Sequence, residues 1–148
     1  MTMVKDILGY CFSLGHDDGA FHSVSKRIKI VTGSSTESEY VALYEAARDM
    51  VWLRGLLSEL DRLSDEPTLM WQDNKSTIHF VNGIMQFQAT KHINPKYHYS
   101  RDLVSDGVMK VEHKSTLMMV ADLLTKSMSG PDHARLSAML LNAPVETW

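Results

Sequence analysis

The stretch from Ser34 to Leu60 constrains this chain more than any other: SSTESEYVALYEAARDMVWLRGLLSEL contains no proline, and its apolar residues return every three or four positions. Tyr40, Leu43, Ala47, Met50 and Arg54, flanked by Tyr44, Val51 and Leu57, share one side of a helix. A stripe of that length needs a cover, and a sheet face supplies one. Thr36 followed by Glu39 has the form of a capping box, with Ser34 and Ser35 as alternative caps. Glu37 and Glu39 then fall in the first turn, where exposed backbone N–H groups favour negative charge. A carboxylate held there beside a sheet can stabilise the helix, coordinate a metal, or do both.

A chain of 148 residues fits one domain around one core. With 44% hydrophobic residues and a net charge of -3 it has neither the composition of a disordered chain nor a cationic field, so contact with nucleic acid has to come from local basic groups. Cys11, between Tyr10 and Phe12, suits a reduced, buried thiol and excludes an internal disulfide. The opening MTMVKDIL is too short and too charged for a signal peptide, and no apolar run approaches the length that spans a bilayer. The expected setting is intracellular, cytoplasmic or nuclear, with no membrane partner.

Ile7 to Leu14 reads as a strand, Gly15 to Gly19 as a turn, and Ala20 to Ser25 with Arg27 to Thr32 as a second strand, continuous or bulged. After the long helix come a short strand at Thr68 to Gln72 and a helix at Lys75 to Val81, capped by Asn74 and closed by Asn82-Gly83. A further helix starts at Asn94-Pro95 and stops before Gly107, and Val108 to His113 forms a strand with Met109, Val111 and His113 on one face. MMVADLLTK starts a short helix carrying Asp122; Ser129, Gly130 and Pro131 read as a break before a last helix at His133 to Leu141. The order implies an α/β domain with a mixed sheet flanked by helices. No glycine-rich phosphate loop follows any strand, which argues against a doubly wound nucleotide-binding fold.

Glu39, Asp73 and Asp122 share a kind of placement, each at or near an element boundary. Cleavage of phosphodiesters uses carboxylates that meet to hold two divalent cations roughly 4 Å apart, although helix capping alone explains acidic residues at such positions. The strings themselves are more specific. GYCFSL, SSTESEYVALYEAARDMVWLRGLLSEL, WQDNKSTI, KHINPKYHYSRDLV and VADLLTKSM, in this order from about Gly9 to Met128, resemble the ribonuclease H domain of copia-type retrotransposon polyproteins.

The resemblance implies a ribonuclease H-like fold and descent from an enzyme that cuts the RNA strand of an RNA–DNA hybrid with bound Mg2+, Mn2+ being the alternative. Glu39 matches the helix glutamate that binds metal, Asp73 in WQDNKS the aspartate at a strand end, and Asp122 in VADLLTK the late aspartate that completes the site. In an active relative His113 would move a proton near the scissile phosphate, imidazole titrating near neutrality. The implied partners are an RNA–DNA hybrid and either a reverse transcriptase domain or a second copy in a homodimer. Residues 129–148 fall outside the matched strings and are expected to be a peripheral C-terminal segment.

One departure stands out. The family opens on a strand that carries a further metal-binding aspartate, whereas here eight residues precede Gly9, with Asp6 the one acidic residue among them. The usual first strand is therefore expected to be missing or replaced, which would weaken metal binding and expose sheet edges. A catalytically impaired nucleic-acid-binding or dimeric structural module of the same descent is the alternative reading.

Other residue types fit substrate contact. Lys26, Arg27 and Lys29 make the clearest local basic patch, suited to phosphate. Asn74, Lys75 and Ser76 adjoin Asp73 and can touch a substrate backbone, while Asn74 serves equally as a helix cap. HINPKYH, with His92 and His98, has no zinc spacing.

Overall fold

The computed structural model describes residues 7–15, 18–29, 34–84 and 94–144. Asp6, Ile30, His92 and residues 85–91 lie outside them. In chain order the elements are β1 (Ile7–Phe12), β2 (His22–Arg27), α1 (Ser35–Glu59), β3 (Thr68–Gln72), α2 (Lys75–Val81), α3 (Asn94–Ser105), β4 (Met109–His113), the 3₁₀ turns Thr116–Met118 and Val120–Leu124, and α4 (Gly130–Leu141). They fall into two compact units, one built from the two ends of the chain (residues 1–31 and 115–148) and one from its middle (32–114). The result is α/β with mixed strand directions: β1 and β2 form an antiparallel pair, β3 and β4 a parallel one. Where the sequence suggested one mixed sheet, the described strands make two sheets of two, because none of them pairs with both β1 and β3.

In the terminal unit, β1 and β2 run in register from Ile7 opposite Arg27 to Phe12 opposite His22. β1 buries Leu8 and Tyr10 on one face and turns Gly9 to the other. There the Val120–Leu124 turn comes so close that a Cβ on Gly9 would lie 2.6 Å from Thr125 Cγ2 and 2.8 Å from Leu124 Cβ. Ser25, directly across from Gly9, donates its hydroxyl to the Leu124 carbonyl at 2.7 Å. The absent side chain and the hydroxyl thus seat one turn on the hairpin. Cys11 is half-buried rather than buried, and its thiol forms no disulfide.

The Ser129-Gly130-Pro131 segment is the start of α4 and not a break before it. Ser129 caps the helix by accepting from Asp132 N–H, and proline in the first turn loses no hydrogen bond there. At the far end of α4 the Leu140 carbonyl accepts from Ala20 N–H at 2.7 Å, tying the helix to the segment that leads into β2.

In the central unit α1 starts where the backbone leaves an extended cap at Ser34, whose hydroxyl accepts from Glu37 N–H at 3.2 Å. The cap is therefore Ser34 and not Thr36, which moves the box two residues back: Glu37 occupies the first turn and is buried, and Glu39 sits half-buried two residues further on. Tyr40, Leu43, Ala47 and Met50 are buried as the stripe requires, joined by Val41, Ala46 and Leu53. Arg54 ends that stripe because its head has polar partners, donating to the Glu66 carbonyl at 3.1 Å and to Thr68 Oγ1 at 3.0 Å at the start of β3.

Helices α2 and α3 both lie between β3 and β4 in the chain, supplying the crossover that a parallel pair demands. Met70 and Gln72 of β3 and Met109 and Val111 of β4 are buried, with α2 and α3 packed on β4. Against α1, α3 presents Tyr97: the Tyr40 hydroxyl donates to the Tyr97 carbonyl at 3.0 Å, and the two rings lie 5.7 Å apart. Burial pushes the Tyr40 hydroxyl pKa well above the ordinary tyrosine range, so the phenol keeps its proton and its role as donor. Gly83, in the left-handed region at φ +73, closes α2 beside the Arg101 guanidinium, where a side chain would collide with it.

Two outcomes follow from this packing. Gly9→Ala should lower stability by about 1–3 kcal/mol through overpacking, measured by urea unfolding; an unchanged midpoint would show that the turn does not seat on the hairpin. Tyr40→Phe should lose about 1 kcal/mol at neutral pH. Its stability should also fall less steeply above pH 10.0, the ordinary tyrosine value, because the wild-type unfolded chain releases a proton there that the folded chain retains.

Candidate functional site

The corner between β3 and α2 is the most organised polar feature of the central unit. Gln72, the last residue of β3, points inward and is buried. Its Oε1 accepts from Asp73 N–H at 2.9 Å and from Asn74 N–H at 3.0 Å, so one side-chain carbonyl satisfies the turn that follows the strand. Asn74 Oδ1 then caps α2 by accepting from Thr77 N–H at 3.1 Å. Asp73 is held between these two anchors, half-buried, at the strand end where the sequence expected it. Lys75 and Ser76 follow on the exposed side of α2.

Asp122 lies in the terminal unit, within the Val120–Leu124 turn, a 3₁₀ segment where a short helix was anticipated. Its carboxylate is 2.9 Å from Lys126 Nζ, and its carbonyl accepts from Thr125 and Lys126 N–H. Glu39 lies in the central unit with Asp73. Among the described residues, no three or more His, Cys, Asp or Glu side chains group so as to hold a metal ion.

His113 ends β4. Met109 and Val111 of its face are buried, but His113 is exposed, so the inward pattern stops one residue short of it. Lys26, Arg27 and Lys29 are exposed at and just beyond the end of β2. Sequence reasoning misses Gln72 and Lys126. For Gln72 the signal is present: in TLMWQ it shares the inward face with Met70, and a buried amide needs partners. Lys126 stands four residues after Asp122, the helical ion-pair spacing.

This geometry defines a small α/β protein with an acidic residue latched at a parallel strand end. Compared with known proteins, the chain is 38% identical over 122 residues to the retrovirus-related Pol polyprotein of transposon TNT 1-94 from Nicotiana tabacum, a match covering 82% of this chain and 9% of that protein. It is 35% identical over 121 residues to the Pol polyprotein of transposon RE1 and 34% identical over 121 residues to that of RE2, both from Arabidopsis thaliana, each match covering 82% of this chain and 8% of the relative. The chain is a region of copia-type retrotransposon Pol-polyprotein descent. It spans less than a tenth of the length of these relatives. No protein-family model matches the chain, and no solved structure matches it. Among the described residues no helix is long and apolar enough to cross a membrane.

The latch can be tested directly. Gln72→Leu leaves two N–H groups at the corner without their acceptor and should cost about 1–3 kcal/mol, with faster amide exchange at Asp73 and Asn74. Gln72→Glu keeps the acceptors and should recover part of the protection; equal exchange in all three proteins would show that the side chain does not hold the turn.

Proposed function

We propose that the chain is a ribonuclease H-like module of retroelement origin that binds RNA–DNA hybrids and, as an isolated chain, is impaired in cutting them. Descent from a Pol polyprotein supports the ribonuclease H-like part, together with the strings around Glu39, Asp73 and Asp122. The observation that carries the impairment is the donor set. Hydrolysis by a divalent cation needs several converging oxygen ligands, and of the three carboxylates in the matching strings the central unit carries two, Glu39 and Asp73, while Asp122 belongs to the terminal unit. The Lys126 pair on Asp122 adds little to this, since an ion pair with a lysine more than half exposed is worth about 0–1 kcal/mol and yields readily to competition.

Binding falls to the exposed patch of Lys26, Arg27 and Lys29, with Lys75 and Ser76 beside Asp73 as further contacts. Such contacts go to phosphates, whose charge dominates affinity and makes it salt-dependent. An intracellular setting belongs to this reading, as does a reverse transcriptase domain as neighbour.

A second reading, an active ribonuclease H, is favoured by one specific feature: Asp73 stands at a strand end with its backbone fixed by Gln72. Under that reading Glu39, Asp73 and Asp122 would hold Mg2+, with His113 nearby to move protons.

One pair of assays separates the two. In fluorescence anisotropy the chain should bind a short RNA–DNA hybrid. Lys26→Ala/Arg27→Ala/Lys29→Ala should weaken that binding and flatten its salt dependence, by roughly one unit of slope for each phosphate left unneutralised. In a cleavage assay with Mg2+ the isolated chain should show little turnover. Cleavage abolished by Asp73→Asn would overturn the impairment, and absence of any hybrid affinity would overturn the binding role.

A further inference from the structure

Helix α1 is apolar on two sides. The inner side centres on Ala47, fully buried, with Tyr40, Leu43 and Met50 around it. Leu56 lies nine residues after Ala47, about two and a half turns, and so on the opposite side. Leu56 is 41% exposed, and Trp52, one turn before it, is 63% exposed. Gly55 lies beside them on the outer surface, with nothing within 4 Å of where its Cβ would stand. Glycine in a helix interior destabilises it relative to alanine, and no described residue makes use of the space it leaves.

A helix that is apolar on both faces is ordinarily covered on both. An exposed tryptophan and leucine beside an open notch have the chemistry of an interface core, where a large aromatic fills a hole in the facing surface. The flanking charges indicate what the facing surface is. Arg48 lies one turn before Trp52 and Glu59 one turn after Gly55, and both are exposed. If a second α1 is laid antiparallel on this face so that Trp52 meets the partner's Gly55, the same two-fold axis sets Arg48 against the partner's Glu59. In that register each tryptophan faces the other helix's glycine and each arginine the other's glutamate, the reciprocal pairing that an isologous contact requires.

We propose that the outer face of α1, centred on Trp52, Gly55 and Leu56, is a homodimer interface, with two α1 helices antiparallel and each tryptophan seated in the notch of the other. It involves neither the β3–α2 corner nor the β2 basic patch, and it stands whether or not the chain binds hybrids.

Sedimentation of the full chain over a wide concentration range tests it. The wild-type chain should pass from monomer to dimer. Gly55→Leu should weaken association by roughly thirtyfold or more by filling the notch, while helicity by circular dichroism is kept or raised, since leucine is the better helix former. Arg48→Glu should weaken association about tenfold, and adding Glu59→Arg to it should restore the wild-type constant. A chain that stays monomeric at its highest soluble concentration would overturn the proposal and leave the face to some other polypeptide. So would a dimer indifferent to Gly55→Leu, or a double reversal no better than the single one.

Discussion

The seam between α1 and α3 is the constraint on which the central unit depends. Tyr40 is almost fully buried, and a phenol in such a place has to be either hydrogen-bonded or absent. Its bond to the Tyr97 carbonyl answers that demand and fixes how α1 lies on α3 in one direction, while packing of the two rings fixes it in another. Ala47, with no exposed surface at all, lies at the centre of the buried stripe. Met50 and Leu53 then extend the buried stripe toward Arg54, which hands the chain on to β3 through Thr68. The terminal unit solves the same problem with different means, letting Gly9 and Ser25 admit a 3₁₀ turn where a side chain would hold it off.

What can be seen in the sequence follows from the range of the forces involved. α1, β3, α2 and β4 are visible because hydrophobic period and caps are local: Asn74 and Asn82-Gly83 bound α2 to the residue. The cap of α1 is one of three neighbouring hydroxyls, and only the backbone conformation at Ser34 decides among them. That choice keeps Glu37 in the first turn, where it is buried, and leaves Glu39 beyond it, half-buried. At Ser129-Gly130-Pro131 the same residues fit a loop or a helix start, and the Asp132 N–H bond to Ser129 selects the second. The antiparallel pairing of β1 with β2 is legible as a hairpin because a short connection joins them, whereas the parallel pairing of β3 with β4 and its separation from the hairpin are not local and cannot be read from the pattern of either strand.

The site is legible in type and not in arrangement. Asp73 occupies the strand end that its string implies, because a short apolar strand followed by an asparagine cap allows few alternatives. His113 shows the opposite case: alternation puts it on the buried face of β4, but the cover ends at Val111 and alternation carries no information about where neighbouring helices stop. Lys126 and Gln72 escape a residue-by-residue reading because their importance lies in a pair and in a turn.

The string around Asp73 also shows how a sequence likeness can persist for reasons of folding alone. In WQDNKST, Gln72 satisfies two backbone N–H groups, and Asn74 caps α2 by accepting from Thr77 N–H. Each of these contributes to folding whether or not Asp73 ever meets a cation. Identity of 34–38% to transposon Pol polyproteins over four fifths of the chain therefore speaks first for a shared scaffold. Chemistry needs more than the scaffold, since it requires carboxylates from separate elements to meet, a demand that the folding of one corner does not address. The same separation applies at α1, where the inner face is committed to the core and the outer face, with Trp52 beside an empty Gly55 notch, answers to nothing in the central unit's own packing. Folding demands account for the first face and leave the second to be explained by association.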